Sequence, residues 1–148
     1  MKRDTTIRSL DTLVQLRARQ VERLQAELAS QEATRMRYQV NLERLAQLAA
    51  GSGASSTALD VSPALALNCG AYKQGVLALA DSHRTDLALH EATMAVAQQR
   101  LQDAWVRREL LGKVLGRERQ AHAAGQERAA RKREDEIATQ SWLAGRAA

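Results

Sequence analysis

The sequence predicts an all-α protein, a long two-helix antiparallel coiled-coil hairpin with a short helical segment near the tip and a projecting C-terminal helix. Three observations predict it. Apolar residues recur in steps of three or four along two long stretches, which keeps one stripe of each helix against a partner. A single Gly/Ser-rich break, Gly51-Ser-Gly-Ala-Ser-Ser56, separates the stretches. The composition is that of long helices, rich in Ala, Leu, Gln, Arg and Glu, with only four aromatic residues (Tyr38, Tyr72, Trp105, Trp142) and no Phe to build a thick core.

The whole chain, 1–148, reads as one coiled-coil domain by length. Helix 1 is expected over about 7–50. Its seam is Ile7, Val14, Val21, Leu28, Leu42 and Ala49 at one heptad position and Leu10, Leu24, Tyr38 and Leu45 at the other, interrupted by Arg17, Gln31 and Arg35. Ser9 or Thr6 offers an N-cap oxygen, and no Gly or Pro breaks the helix before Gly51. The connector is 51–62. Ser62-Pro63 then has the form of an N-cap followed by proline at the first helical position, opening a short helix over 63–69. Gly70 and Gly75 weaken the helix there, so a kink or break is expected at 69–71.

Helix 2 is expected over about 71–143, with a seam of Val76, Ala80, Leu87, Met94, Ala97, Leu101, Ala104, Leu111 and Leu115. An antiparallel register sets Tyr38 near Ala80, Arg35 near His83, Leu28 near His90 and Val14 near Ala104. In this register helix 1 ends opposite Leu111 and the apolar rhythm stops at Leu115. The rest of helix 2 is expected to project alone, with Glu109–Lys113 and Glu127–Arg131 as i,i+4 supports.

The formal net charge is +5, mixed in sign. Residues 1–50 carry nine basic and six acidic groups, 51–100 three and four, and 101–148 ten and seven. In a hairpin the end bearing both termini is therefore the basic one. Nucleic-acid binders concentrate positive charge more strongly, and the acidic triplet after Arg131-Lys132-Arg133 repels phosphate, so no nucleic acid is expected. Cys69 is the only cysteine, which excludes an internal disulfide and fits a reducing cytosol. Neither a signal peptide nor a membrane-spanning stretch is read.

His83, Asp86 and His90 share one helix face and are metal-ligand types, but a zinc site needs a fuller set, and both histidines fall on the seam. No phosphate loop and no nucleophile–base arrangement is present. No catalytic, cofactor-binding or metal-binding residue is expected, and the chain reads as a contact protein rather than an enzyme. The polar seam residues Arg17, Gln31, Arg35, His83 and His90 are read as register control.

Several phrases carry a resemblance. Leu10-Asp-Thr-Leu-Val-Gln-Leu16 is similar to the opening helix of the flagellar export protein FliJ family. Asn68, Tyr72, Val76 and Leu79 fit the spacing of its interrupted segment, with Cys69 standing where an aromatic is common. Trp105 with Arg107 and Arg108 resembles the family's Trp followed by basic residues, and Arg131-Lys-Arg-Glu-Asp-Glu136 its charged close. The stalk proteins of injectisomes share this layout, and a generic scaffolding coiled coil is the remaining alternative.

The resemblance implies a cytoplasmic, non-enzymatic stalk of type III export, peripheral at the inner membrane through its partners and monomeric. It implies that the end carrying the termini engages the hexameric export ATPase, with Arg8, Arg117, Arg119, Arg128, Arg131 and Arg133 as the expected contacts. It also implies that a tip-side patch meets the cytoplasmic domain of the export gate. The matching positions are Asn41, Leu45, Tyr72, Val76, Leu79 and His83. Export chaperones are further expected partners.

Overall fold

Helix α1 spans Lys2–Gly51 and helix α2 spans Pro63–Ala147 in a computed structural model that describes residues 2–51 and 62–147. The expected connector falls almost wholly in 52–61, outside the described residues, as do Met1 and Ala148. The two long helices pack against each other as an all-α hairpin, with no strand among the described residues.

α1 begins earlier than expected, whereas the expected cap at Ser62-Pro63 forms. α1 starts at Lys2, so Ser9 and Thr6 lie inside it, and Ser9 Oγ donates to the Thr5 carbonyl at 2.9 Å rather than capping an end. Asp4 in the first turn faces the positive end of the helix dipole and favours the earlier start. At α2, Ser62 Oγ accepts the Leu65 N–H at 3.2 Å, and the Ser62 carbonyl accepts the Ala66 N–H at 3.1 Å. That satisfies an otherwise orphaned donor of the first turn, with proline where no donor is needed.

The expected short helix over 63–69 and the break at 69–71 are absent, since α2 runs through both as one element. No glycine in the described residues adopts positive φ. A glycine costs a helix interior only about 1 kcal/mol, and the seam spacing from Cys69 to Val76 to Ala80 continues across Gly70 and Gly75.

The chain divides into two compact units, Glu22–Gln102 and Met1–Val21 with Asp103–Ala148. In the first, Ala49, Val76, Ala80 and Met94 are buried. Half-buried Leu24, Leu28, Tyr38, Leu42 and Leu45 continue the stripe on α1, as do Leu87, Ala97 and Leu101 on α2. The pairing is antiparallel but offset from the expected register. Tyr38 meets His83 and His90, with ring centroids 6.0 Å and 5.9 Å apart, instead of Ala80. His90 Nε2 lies 2.8 Å from the Gln31 carbonyl oxygen, instead of beside Leu28. The displacement from Ala80 to His83, like that from Leu28 to Gln31, is one seam step. It gives the His90 ring a hydrogen-bond partner and sets the Tyr38 ring between those of His83 and His90. Arg35 pairs with Glu32 on its own helix at 2.6 Å.

In the second unit, Val21, Ala104 and Leu115 are buried. The stripe continues past Leu115 through half-buried Glu118, His122 and Ala124. Asp4 faces His122 and Asp11 faces Arg119, again antiparallel. The solitary part of α2 therefore begins near Gly125 and not after Leu115, because α1 begins at Lys2. Every described side chain from Gly125 to Arg146 is exposed. Of the two expected local supports, Glu127–Arg131 forms at 4.0 Å, whereas the Glu109 carboxylate lies 4.0 Å from Arg108.

Two predictions follow from the packing. Met94→Ala, at 5% exposure, lowers stability by about 2–4 kcal/mol, whereas Leu89→Ala, at 70% exposure, changes it by less than about 0.5 kcal/mol. Urea unfolding followed by circular dichroism reads both. A Cβ at Gly70 or Gly75 meets nothing within 4 Å. Gly70→Ala and Gly75→Ala are each expected to raise stability by about 0.5–1 kcal/mol in the same assay.

Candidate interaction surfaces

The two sets of expected contact residues fall in different units. All six arginines lie in Met1–Val21 with Asp103–Ala148, and all six tip-side positions lie in Glu22–Gln102.

In the arginine-bearing unit, Arg8, Arg117, Arg119, Arg128, Arg131 and Arg133 are all exposed. Their partners differ. Arg119 Nη2 donates to Asp11 Oδ1 across the helices at 2.9 Å, and Arg131 sits 4.0 Å from Glu127 on its own helix. Arg128, Arg131 and Arg133 stand on the segment beyond Gly125, where nothing of α1 covers α2. That segment ends on exposed Ile137, Trp142 and Leu143, with the Arg146 guanidinium 4.8 Å from the Trp142 ring centroid. A helix of mixed charge with an apolar end can lie against a mixed protein surface through both charge and burial.

In the other unit the tip-side positions separate by depth. Asn41, Tyr72 and Leu79 are exposed, Leu45 and His83 are half-buried, and Val76 is buried at 8% exposure. The seam explains the division. Leu45, Val76 and His83 sit on it and pack between the helices, while Asn41, Tyr72 and Leu79 flank it. Tyr72 and Leu79 are seven residues apart and share a helix face.

Tyr72 also joins Arg44, Gln47, Leu48 and Gly51 around an open depression of about 570 Å³. A second depression along α1 is lined by Met36, Arg37, Val40, Asn41 and Arg44. Met36, Val40 and Leu48 were not singled out from sequence, although their four-residue spacing through Arg44 marks an outer stripe.

No reaction chemistry emerges from either surface. Among the described residues no three His, Cys, Asp or Glu side chains are placed to hold a metal ion. His83 and His90 flank Tyr38 in the seam layer, and His83 Nδ1 and Gln31 Oε1 are buried there without a hydrogen-bond partner among the described residues. No described helix is long and apolar enough to cross a membrane.

A family model described as flagellar FliJ protein matches residues 6–147. The chain belongs to the flagellar FliJ family. Membership makes it a component of flagellar type III protein export, in a family whose members are non-enzymatic. No curated protein and no solved structure matches it. The FliJ match covers both long helices, including the exposed segment after Gly125.

Because that segment contributes nothing to the helix–helix seam, removing residues 126–148 is expected to leave the thermal unfolding midpoint within about 3 °C of the full chain. Scanning calorimetry of the two proteins side by side checks this.

Proposed function

We propose that this FliJ-family chain acts as a stalk-like coiled coil that binds the hexameric export ATPase. It promotes assembly and turnover of the ring and links it to the cytoplasmic domain of the export gate, escorting export chaperones. The observation that carries this reading is the family match over residues 6–147. Two features support it. The segment Gly125–Arg146 is helical, exposed on all sides and rich in arginine. In the other unit, exposed Asn41, Tyr72 and Leu79 flank the seam, over buried Val76.

The mechanism asks for no chemistry from the chain. Arg8, Arg117, Arg119, Arg128, Arg131 and Arg133 supply charge and multidentate hydrogen bonding to carboxylates of the ring. Asn41, Tyr72 and Leu79 give the gate one amide, one amphipathic ring and one apolar side chain, with Leu45, Val76 and His83 shaping the surface from beneath. The protein works in the cytoplasm as a monomer and reaches the inner membrane through its partners.

The test combines a pull-down with an ATPase assay. The full chain is expected to retain the export ATPase, raise its oligomer fraction in light scattering and stimulate turnover. A chain ending at Ala124, or one with Arg128, Arg131 and Arg133 changed to Ala, loses at least about ten-fold in affinity, as expected when several charged contacts of about 0.5–1 kcal/mol each are removed together. Unchanged oligomerisation and turnover on adding the full chain removes the proposal.

A further inference from the structure

The first three turns of α1 carry three polar contacts to α2. From Val14 onward the stripe of α1 meets a stripe of α2 made of apolar residues and a few polar layers. Before that point the chemistry changes. None of residues 3–20 is buried, and the large apolar side chains even half-buried in the first three turns are Ile7 and Leu10. Opposite them, beyond Leu115, α2 presents Glu118, His122 and Ala124 to the interface. Beside the half-buried Ile7 and Leu10 stand two cross-helix ion pairs and one histidine–carboxylate contact. Arg3 Nε lies 3.5 Å from Glu118 Oε2, His122 Nε2 lies 3.0 Å from Asp4 Oδ1, and Arg119 Nη2 lies 2.9 Å from Asp11 Oδ1. All six side chains belong to the same compact unit.

The geometry points to a latch: residues 3–11 form an arm held on α2 by these charge contacts, which lifts when they are screened or removed while the apolar seam from Val14 onward stays closed. Lifting exposes the half-buried Ile7 and Leu10 together with the apolar surface of α2 near Leu115. Each exposed pair alters the closing equilibrium by about two- to five-fold. The two ion pairs, Arg3–Glu118 and Arg119–Asp11, act together with the His122–Asp4 contact against the loss of that packing. Charge contacts at such exposure are screened as the Debye length falls, whereas apolar packing is not. The arm therefore answers to ionic strength and to competing charges, and the body does not. The latch also gives Arg119 two states, one paired with Asp11 and one open to another carboxylate. This inference stands apart from the proposed function, because it concerns the free chain.

The experiment is amide hydrogen exchange on the full chain. It compares the natural protein with the double variant Arg119→Gln and His122→Gln, at about 0.02 M and about 0.5 M salt. Both substitutions are on α2, so the helix-forming tendency of α1 and the effect of Asp4 on its dipole are untouched. At low salt the variant is expected to exchange the amides of residues 7–10 about three- to twenty-fold faster than the natural chain. High salt speeds the natural chain to a similar rate and adds little in the variant. Amides of residues 21–28 and 94–104 keep their protection throughout, which shows that the body remains folded. Equal exchange of residues 7–10 in the two proteins overturns the latch. So does an equal acceleration of both by salt, since either result means ordinary fraying of a helix end.

Discussion

Packing along a stripe that returns every three or four residues decides what each helix of this chain carries and where. On α1 the stripe runs without a missed step from Ile7 to Ala49, and on α2 from Val76 to His122. The side chains that it buries are few and mostly small: Val21, Ala49, Val76, Ala80, Met94, Ala104 and Leu115. Alanine at three of these points lets the backbones approach closely but contributes little apolar area at each step. Stability must come from the number of steps rather than from any dense centre, which is why helices of 50 and 85 residues are needed. The same constraint leaves most of the surface free, since a two-helix seam occupies only one side of each rod.

What interrupts the stripe is as informative as what fills it. Tyr38, His83, His90 and the Gln31 carbonyl form a layer in which ring contacts and one hydrogen bond replace aliphatic packing. A polar layer gives up stability and in exchange fixes which residues face each other. The alternative register, with Tyr38 against Ala80, leaves the His90 ring without the Gln31 carbonyl. In the unit that holds the termini, polar contacts through Arg3, Asp4, Asp11, Glu118, Arg119 and His122 join the apolar seam beyond Leu115.

Much of this was legible in the sequence. The seam residues of both helices were identifiable from spacing alone, because a three–four alternation fixes the buried face before any partner is known. The Ser62-Pro63 start of α2 was legible for a similar reason, as the cap is a local interaction. The register was not, because apolar heptads fit a neighbour equally well one step along, and the choice falls to the His90–Gln31 bond between residues far apart in sequence. The continuity of α2 through Gly70 was missed because a penalty of about 1 kcal/mol per glycine is too small to break a long helix. The early start of α1 was missed because Asp4, in its first turn, was not weighed. Among the tip-side residues, the depth of Val76 and the exposure of Tyr72 and Leu79 were implicit in their heptad positions. Which exposed residues a partner touches is not a property that spacing encodes.

The bond between Gln31 and His90 joins residues 59 apart in the chain, and that between Asp11 and Arg119 joins residues 108 apart. Ribosomal synthesis therefore delivers α1 complete, with its apolar edge bare, well before most of its mate exists. Closing must begin beside residues 52–61 and travel outward, since nearby segments find each other at the smallest entropic cost. Until then the apolar stripe of α1 has no partner on this chain.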